Sequence, residues 1–264
     1  MRRREVIGLI GVPAIWPMVT RAQGTTKIAR VGVLLSAAPG APTPLWNQCL
    51  ERLRLLGWER GRNLIIEARY GDSRPELLAA GAAELVALSP DLIVAGDSQT
   101  TAAALVQTSS IPIVMVGVSH PVEAGFIKSL ASSGSNVTGL TNQLKDVDSK
   151  ALGLLREAKP GIDRVGVLYT PRIAALLIER RVPTVTAFST WVRDGILMSY
   201  GPDLVEMWRD TASYIDRILR GARPGDLPVQ QPTKFLFVIN LRTAKAIGVD
   251  FSPTLLARAD EVIE

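Results

Sequence analysis

Polar side chains that could bind a small molecule stand directly after an apolar run of the sequence. The run Leu92–Gly96 is followed by Asp97, Ser98 and Gln99, which open a segment with a helical pattern. In open α/β sheets, ligands bind outside the carboxyl ends of the strands. The unpaired N–H groups at a helix start attract a ligand carboxylate, although a simple helix N-cap explains the same residues. Both roles stay open, and the two can coexist.

The same rule selects small and polar residues after the other apolar runs of the first half. His120, the only histidine of the chain, precedes Pro121 and could either bind a ligand or cap a helix. In addition to Asp97, Ser98 and Gln99, the candidate ligand contacts of this half are Ser36, Ala37, Ser119, His120, Thr141 and Asn142.

Further candidates come from the second half of the chain. Tyr169 and Thr170 end one apolar run, and Tyr200 ends another. Asp203 starts a long helical pattern, where we expect it either to cap that helix or to pair with a ligand ammonium. In the first half, Trp46 could stack on an aromatic ligand or pack its own helix.

These residues do not form the motifs of an enzyme. A nucleophile elbow reads G-x-S-x-G, and the segments 96–100 and 117–121 both lack the final glycine. Ser119 is the chain neighbour of His120 and is therefore poorly placed for a serine–histidine pair. The sequence shows no phosphate loop, dinucleotide fingerprint or metal-ligand spacing. We therefore expect no catalytic residue, metal or cofactor, and an exported hydrolase is the enzyme alternative.

Apolar runs that alternate with helical patterns must position the candidate residues. Runs rich in Val and Leu, such as Ala29–Leu35, are typical of strands buried on both faces. Strands and helices at this spacing require crossover connections, and hence a parallel, doubly wound α/β sheet. The expected strands are 29–35, 64–70, 92–96, 113–118 and 136–140, with helices ending at 56 and over 75–88, 98–107 and 122–131.

The chain then repeats the start of this pattern. The segment DRVGVLY (163–169) resembles ARVGVLL (29–35) and predicts a second sheet. Because only three of its expected strands fit a parallel arrangement, we expect a small second lobe. Its expected strands are 164–170, 184–188, 196–201 and 235–241, with helices over 143–158 and 203–220, near 243–247 and, capped, over 252–264.

The first residues predict export. An Arg-rich start, an apolar run and the sequence Thr-Arg-Ala are typical of a signal peptide cleaved after Ala22, and the arginines also resemble a twin-arginine signal. The apolar run is shorter than the ~20 residues that span a bilayer. We therefore predict a signal peptide over 1–22, a first lobe over 23–142 and a second lobe over 143–264 whose C-terminal segment returns to the hinge.

Composition indicates a folded, aliphatic protein without a nucleic-acid interface. Hydrophobic residues make up 47% of the chain and charged residues 21%, which argues against disorder. Three of the five net positive charges lie in the predicted signal peptide, and no Lys/Arg cluster follows, so we expect no nucleic-acid partner. Cys49 is the only cysteine, so an internal disulfide is excluded and a buried thiol is expected.

Two blocks of the sequence resemble a known family. GVSHPVEAGFIKSLASSGSNVTGL (117–140) and the stretch from ILMSYGPD to TAKAIG (196–248) are similar to ABC-transporter substrate-binding proteins of the tryptophan/tyrosine-binding type. The resemblance runs over nearly the whole chain. It implies a periplasmic, two-lobed periplasmic-binding-protein (Venus-flytrap) fold. Such a fold closes on a small solute, often an aromatic amino acid in this group, and hands it to an ABC permease in the inner membrane.

The sequence departs from that family after residue 171, where it runs directly into a helical pattern. The family has two further strand–helix units there, roughly 60 residues at ~30 per βαβ step. Two interpretations follow. Either a shortened second lobe still closes on a ligand, or the chain is a remnant that no longer binds solute and forms a homodimer through an exposed sheet edge.

Overall fold

A five-stranded parallel sheet forms the first half of the protein. The computed structural model describes residues 28–41, 43–142, 147–167 and 174–264, so the predicted signal peptide lies outside the described residues. The strands are β1 (Ala29–Leu35), β2 (Leu64–Tyr70), β3 (Leu92–Ala95), β4 (Ile113–Val118) and β5 (Val137–Thr141). Their order is β2-β1-β3-β4-β5, and each neighbouring pair is parallel. The prediction for this sheet is confirmed to within a residue at each end.

Three helices of the first half form where the sequence predicts them. They are α1 (Pro44–Leu55), α2 (Pro75–Ala87) and α3 (Ser98–Gln107). Proline opens α1 and α2, where its fixed φ suits the first helical turn and its missing N–H costs nothing. Cys49 lies fully buried on α1, and burial raises the pKa of its thiol. Cys49 is therefore a packing residue, as predicted.

The helix predicted over 122–131 is wrong. The Pro121 carbonyl accepts hydrogen bonds from the amides of both Phe126 and Ile127, and the Lys128 amide bonds to the Ser133 carbonyl instead of continuing a helix. Gly125 has a φ of +73°, which a right-handed helix cannot contain. A series of turns therefore leads from β4 towards β5.

A second, mixed sheet forms from the rest of the chain. Its strands are β6 (Gly166–Val167), β7 (Thr184–Thr186), β8 (Met198–Pro202), β9 (Phe235–Asn240) and β10 (Glu261–Ile263). The order is β10-β9-β8-β7-β6, and the β8–β9 pair is antiparallel while the others are parallel. The helices packed with it are α4 (Val147–Ala158), α5 (Ala174–Glu179), α7 (Leu241–Ile247) and α8 (Pro253–Leu256).

The antiparallel pair arises because the chain leaves the second sheet after β8 and returns to it in β9. Between them lies α6 (Leu204–Leu219), which buries Trp208 and Ile215 in the same core as β1 and α1 of the first half. On its way back, the Gln230 amide donates to the Gly139 carbonyl (2.9 Å) on the edge strand β5. The helix α6 therefore completes the first core, although its sequence lies among strands of the second sheet.

The closing helix predicted over 252–264 forms only in part. Ser252 caps α8 as expected, since its hydroxyl accepts from the Leu255 amide (3.2 Å). Residues 261–263 are instead the strand β10, whose β-branched Val262 and Ile263 suit a sheet. The Asp260 carboxylate accepts from the Phe237 amide (2.7 Å), which ties the approach to β10 against β9.

The two sheets, each with helices packed against it, confirm the predicted two-lobed α/β class. The lobe limits at residues 142 and 143 and the shortening of the second lobe stay predictions. Within the parts of the chain that the structure describes, no helix combines the length and the apolar character of a membrane span.

Candidate functional site

A cavity of about 340 Å³ lies where the first sheet meets the second lobe. The carboxyl ends of β1 and β3, the start of α1 and one side chain of α6 form most of its wall, and a 3₁₀ segment of the second lobe contributes the rest. The residues that line it are Leu35, Ser36, Ala37, Thr43, Pro44, Leu45, Trp46, Gly96, Asp97, Thr190 and Trp208.

Two tryptophans form the apolar part of the wall. Trp46 lies in the first turn of α1 and Trp208 on α6, with ring centroids 6.1 Å apart and planes at 77°. Both side chains are more than nine-tenths buried. Pro44 fixes the start of α1 and so sets the place of Trp46. Aromatic side chains arranged edge to face offer a rigid surface for an apolar or aromatic ligand group.

Asp97 supplies the charge of the cavity. It is the N-cap of α3, and its carboxylate accepts from the Thr100 amide (2.8 Å), while the Thr100 hydroxyl accepts from the Asp97 amide (2.9 Å). This reciprocal pair fixes Asp97 at the carboxyl end of β3. The N-cap alternative is therefore observed, and it leaves Asp97 in the lining of the cavity.

Among the described residues, the Ser36 hydroxyl is a buried group without a hydrogen-bond partner. Its oxygen is inaccessible to solvent, and it makes no hydrogen bond to any of the described residues. Such a group costs free energy unless a ligand or water completes it. Because Ser36 lines the cavity, a rotation of its side chain could bring the hydroxyl to a ligand there.

Thr190 belongs to the 3₁₀ segment Ser189–Asp194, which we call the 189–194 segment. The side-chain amide of Asn240 donates to the Val192 carbonyl (2.8 Å), and the Thr243 hydroxyl donates to the Gly195 carbonyl (3.1 Å). These buried groups hold the segment on the second sheet and thereby set the position of Thr190 at the cavity.

A row of hydrogen bonds runs along the carboxyl edge of the first sheet beside the cavity. The Ser119 amide donates to the Ser98 hydroxyl (3.4 Å), and the Ser119 hydroxyl bonds to the side-chain oxygen of Asn142 (2.9 Å). Thr141 is fully buried, and its hydroxyl donates to the Val118 carbonyl (2.7 Å). The structure thus brings these predicted residues to one edge, but not into the lining of the cavity.

His120 lies on the surface beyond the same edge. Its side chain is 62% exposed and its Nδ1 lies 2.6 Å from a carboxylate oxygen of Glu123. Its φ of +49° places it in the left-handed region at the start of the turns that replace the predicted helix. The alternative of a helix-capping histidine is therefore wrong, and a ligand contact by His120 stays a prediction.

Asp203 already has partners of its own. Its carboxylate accepts from the Val205 and Glu206 amides at the start of α6 and pairs with Lys234 Nζ at 2.8 Å. Burial by itself raises the pKa of Asp203, but the hydrogen bond from Lys234 and those from the amides outweigh it and hold the pKa below its usual value. The capping role is observed, and pairing with a ligand ammonium stays a prediction.

Tyr200 also has a partner on the second lobe. Lys150 Nζ donates to the Tyr200 hydroxyl (2.6 Å) and lies 4.5 Å from the centroid of its ring. The ring also stacks on Phe235, with centroids 5.9 Å apart. Tyr200 therefore packs towards α4 and β9, outside the lining of the cavity.

Four of the residues that the sequence offers as ligand contacts line the cavity, namely Ser36, Ala37, Trp46 and Asp97. Gln99 lies instead in a groove between α2 and α3, and Tyr169 and Thr170 lie outside the described residues. Thr190 and Trp208 are residues of the lining that the candidate set lacks. An aromatic residue on an apolar helical face is ordinarily a core residue, so no sequence signal marks Trp208 as part of a cavity.

Comparison with protein families gives a match over most of the chain. A sequence model described as "ABC transporter substrate binding protein" matches residues 48–180 and 173–263. A curated relative named "Tyrosine-binding protein", from Clostridioides difficile strain R20291, is 34% identical over 113 residues. That match covers 43% of this chain and 32% of the relative, so the chain matches about a third of the relative's length.

Two solved structures share the fold. A conserved domain protein from Vibrio cholerae O1 biovar El Tor superposes with a TM-score of 0.80 at 24% identity, covering 89% of this chain and 100% of that one. An ABC domain in complex with L-Trp, from Streptococcus pneumoniae, superposes with a TM-score of 0.78 at 18% identity, covering 89% and 99% of the two chains. At these identities the superpositions establish the two-lobed fold.

Proposed function

Because this chain belongs to the family of ABC transporter substrate-binding proteins, we propose that it captures a small solute between its lobes and delivers it to an ABC permease of the inner membrane. The observation that carries the proposal is the cavity itself. Asp97 and Trp46 line it from the first lobe and Thr190 lines it from the second, so one ligand could contact both lobes. Ligand sites in α/β proteins lie at this end of the strands.

The proposed solute is an aromatic amino acid. The cavity of about 340 Å³ falls within the range of roughly 300–1,000 Å³ that is usual for small-molecule sites. Trp46 and Trp208 offer aromatic surface, and Ser36 and Asp97 are polar residues of the same lining. The same class of ligand is supported by the relative that is named a tyrosine-binding protein and by the structural neighbour that was solved in complex with L-Trp.

Closure would occur at the segments where the chain crosses between lobes. Two of these crossings are described, at 202–204 and 230–235, and they are joined by the ion pair of Asp203 and Lys234. The Asp203 amide also donates to the Lys234 carbonyl (3.0 Å). We propose that the lobes rotate about this pair of segments as the ligand is enclosed.

The proposed location is the periplasm, after export by the predicted signal peptide over 1–22. The basic start and short apolar run support this assignment. Mass spectrometry of the protein recovered from the periplasm should give an N-terminus at Gln23. An unprocessed N-terminus in the cytoplasmic fraction would contradict export.

The alternative function is that of a remnant that no longer binds solute. The family match falls into two segments that overlap at residues 173–180. This overlap lies close to the point where two strand–helix units are expected to be missing. The adjoining strand β6, of which residues 166–167 are described, lies at the edge of the second sheet. Such an edge would favour association with a second copy of the chain.

A thermal-melt screen of the purified protein against amino acids distinguishes the two functions. A ligand at about 100 times its dissociation constant adds ~2.7 kcal/mol to the stability of the folded state. For a chain of this size, that corresponds to a rise in Tm of roughly 5–10 °C. We expect such a shift with L-Trp or L-Tyr and none with L-Glu. A melt that no amino acid shifts, together with a dimer in size-exclusion chromatography, would favour the remnant.

A further inference from the structure

We propose that Asp97 of the first lobe binds the ammonium group of the ligand, and that aromatic amines without a carboxylate are therefore ligands of the same cavity. This inference rests on the proposed solute-binding function. It reverses the orientation expected from the sequence, in which the first lobe would bind the carboxylate of the ligand.

The charge of the lining supports this orientation. Asp97 is the one charged side chain among the described residues that line the cavity, and neither Lys nor Arg is among them. A zwitterionic ligand placed there would find a carboxylate for its ammonium but no basic side chain for its carboxylate. A ligand cation is the matching partner for such a lining.

The hydrogen bonds of Asp97 leave one oxygen available. The amide and hydroxyl of Thr100 both donate to Oδ1, at 2.8 and 3.0 Å. Within the described part of the chain, Oδ2 has no hydrogen-bond partner. The side chain is therefore fixed through one oxygen by the start of α3 while the other can accept from a ligand.

Asp203, which the sequence offers as a partner for the ammonium, and Tyr200, a candidate ligand contact, are engaged elsewhere. Both oxygens of Asp203 have partners, since Oδ1 accepts from two amides of α6 and Oδ2 pairs with Lys234. The Tyr200 hydroxyl accepts from Lys150. Neither residue lines the cavity.

The neighbours of Asp97 are also suited to a cation. Trp46 and Trp208 present ring surface in the same cavity, and the face of an indole ring attracts ammonium groups. The buried Ser36 oxygen has no partner among the described residues and could accept a second ammonium hydrogen. A carboxylate, an aromatic wall and a free hydroxyl together recognise an aromatic amine.

The test compares L-Trp, tryptamine and indole-3-propionate by isothermal titration calorimetry. Tryptamine lacks the carboxylate, and indole-3-propionate lacks the amine. We expect tryptamine to bind within about tenfold of L-Trp, and indole-3-propionate to bind on the order of 10- to 100-fold more weakly than L-Trp, as expected for the loss of a charge-assisted hydrogen bond. Asp97→Asn should weaken L-Trp and tryptamine by a similar factor, and because Asn also caps helices well, it should leave the melting temperature nearly unchanged.

Asp226→Asn is the matched control, since it removes an exposed carboxylate that lies outside the lining of the cavity. It should bind both amines as the wild type does. Indole-3-propionate binding as tightly as L-Trp, or Asp97→Asn binding tryptamine unchanged, would overturn the proposal while leaving the solute-binding function intact. A wild-type protein that binds none of the three compounds and no amino acid would overturn the proposed function, and this inference with it.

Discussion

Asp97 and Asp203 show how the same residue in the same local position acquires different roles. Each is the N-cap of a helix and accepts from amides of the first turn. Asp203 also pairs with Lys234, 31 residues away in sequence, whereas Asp97 lies in the wall of a cavity. A partner that is distant in sequence therefore decides which of the two carboxylates is held in an ion pair.

Position 139 should tolerate glycine and no larger residue. Its φ is +129°, and a Cβ atom there would lie 2.1 Å from the Met115 carbonyl oxygen. We expect Gly139→Ala to lower the free energy of unfolding by at least ~1–3 kcal/mol, since both the backbone region and the contact are unfavourable. Urea titration followed by circular dichroism measures this loss.

The control for that substitution is Gly153→Ala on α4. A Cβ atom at Gly153 would meet nothing within 4 Å, and alanine is favoured over glycine in a helix interior by about 0.8–1.0 kcal/mol. We therefore expect a gain in stability. Equal effects of the two variants would contradict the assignment of strain to Gly139.

At the scale of elements, α6 joins the two lobes. Its start is fixed at the crossing by the carboxylate of Asp203, and its buried face, including Trp208 and Ile215, belongs to the first core. In the second lobe, the side chain of Asn240 holds the 189–194 segment beside the cavity. These two elements carry Trp208 and Thr190 to the site, so their stability sets the geometry of the cavity.

Substitutions of Asp203 should separate its capping role from its ion pair. Asp203→Ala loses the helix cap, which typically costs about 0.5–2 kcal/mol, and it loses the pairing with Lys234 as well. Asp203→Asn keeps a cap and loses only the ion pair. We therefore expect stability to fall in the order wild type, Asp203→Asn, Asp203→Ala, as measured by urea titration at pH 7.

Asp203 should also make the stability of the folded protein depend on pH. Because the folded protein holds the pKa of Asp203 below its usual value, the stabilisation is fully present above the unfolded pKa of about 3.9. It is lost as the pH falls through the lower folded value. The difference in stability between wild type and Asp203→Asn should thus shrink from pH 7 towards pH 3. A difference that stays constant over this range would show that the carboxylate charge is not involved.

At the scale of the whole molecule, the first sheet and its core are not built from a continuous piece of chain. Its core takes the side chains Met207, Trp208 and Ile215 from α6, and its edge strand β5 pairs with Gln230. Sheet and core are thus assembled from two separate parts of the sequence. The lobes share covalent crossings as well as a cavity, and the first core is incomplete without side chains from α6.

A fragment ending at residue 142 should therefore fail to form a stable first lobe. Without α6, the apolar side chains of β1 and α1 that pack against it would be exposed to water. Each Å² of apolar surface so exposed costs about 25 cal/mol, and domains are only marginally stable. We expect a broad melt and binding of a hydrophobic dye. The full chain is the control, and a sharp, cooperative melt of the fragment would show that α6 is dispensable.

The sequence by itself determined the first sheet, most of the helices and the α/β class. These features depend on local periodicity and on caps such as Asp97 and Ser252, which short stretches of chain encode. Only the tertiary structure decided that 122–131 forms turns, that 261–263 is a strand, and that Trp208 and Thr190 meet Asp97 at one cavity. Those outcomes depend on contacts between residues far apart in sequence, such as Asp260 with Phe237 and Asn240 with Val192. Local pattern does not encode such contacts.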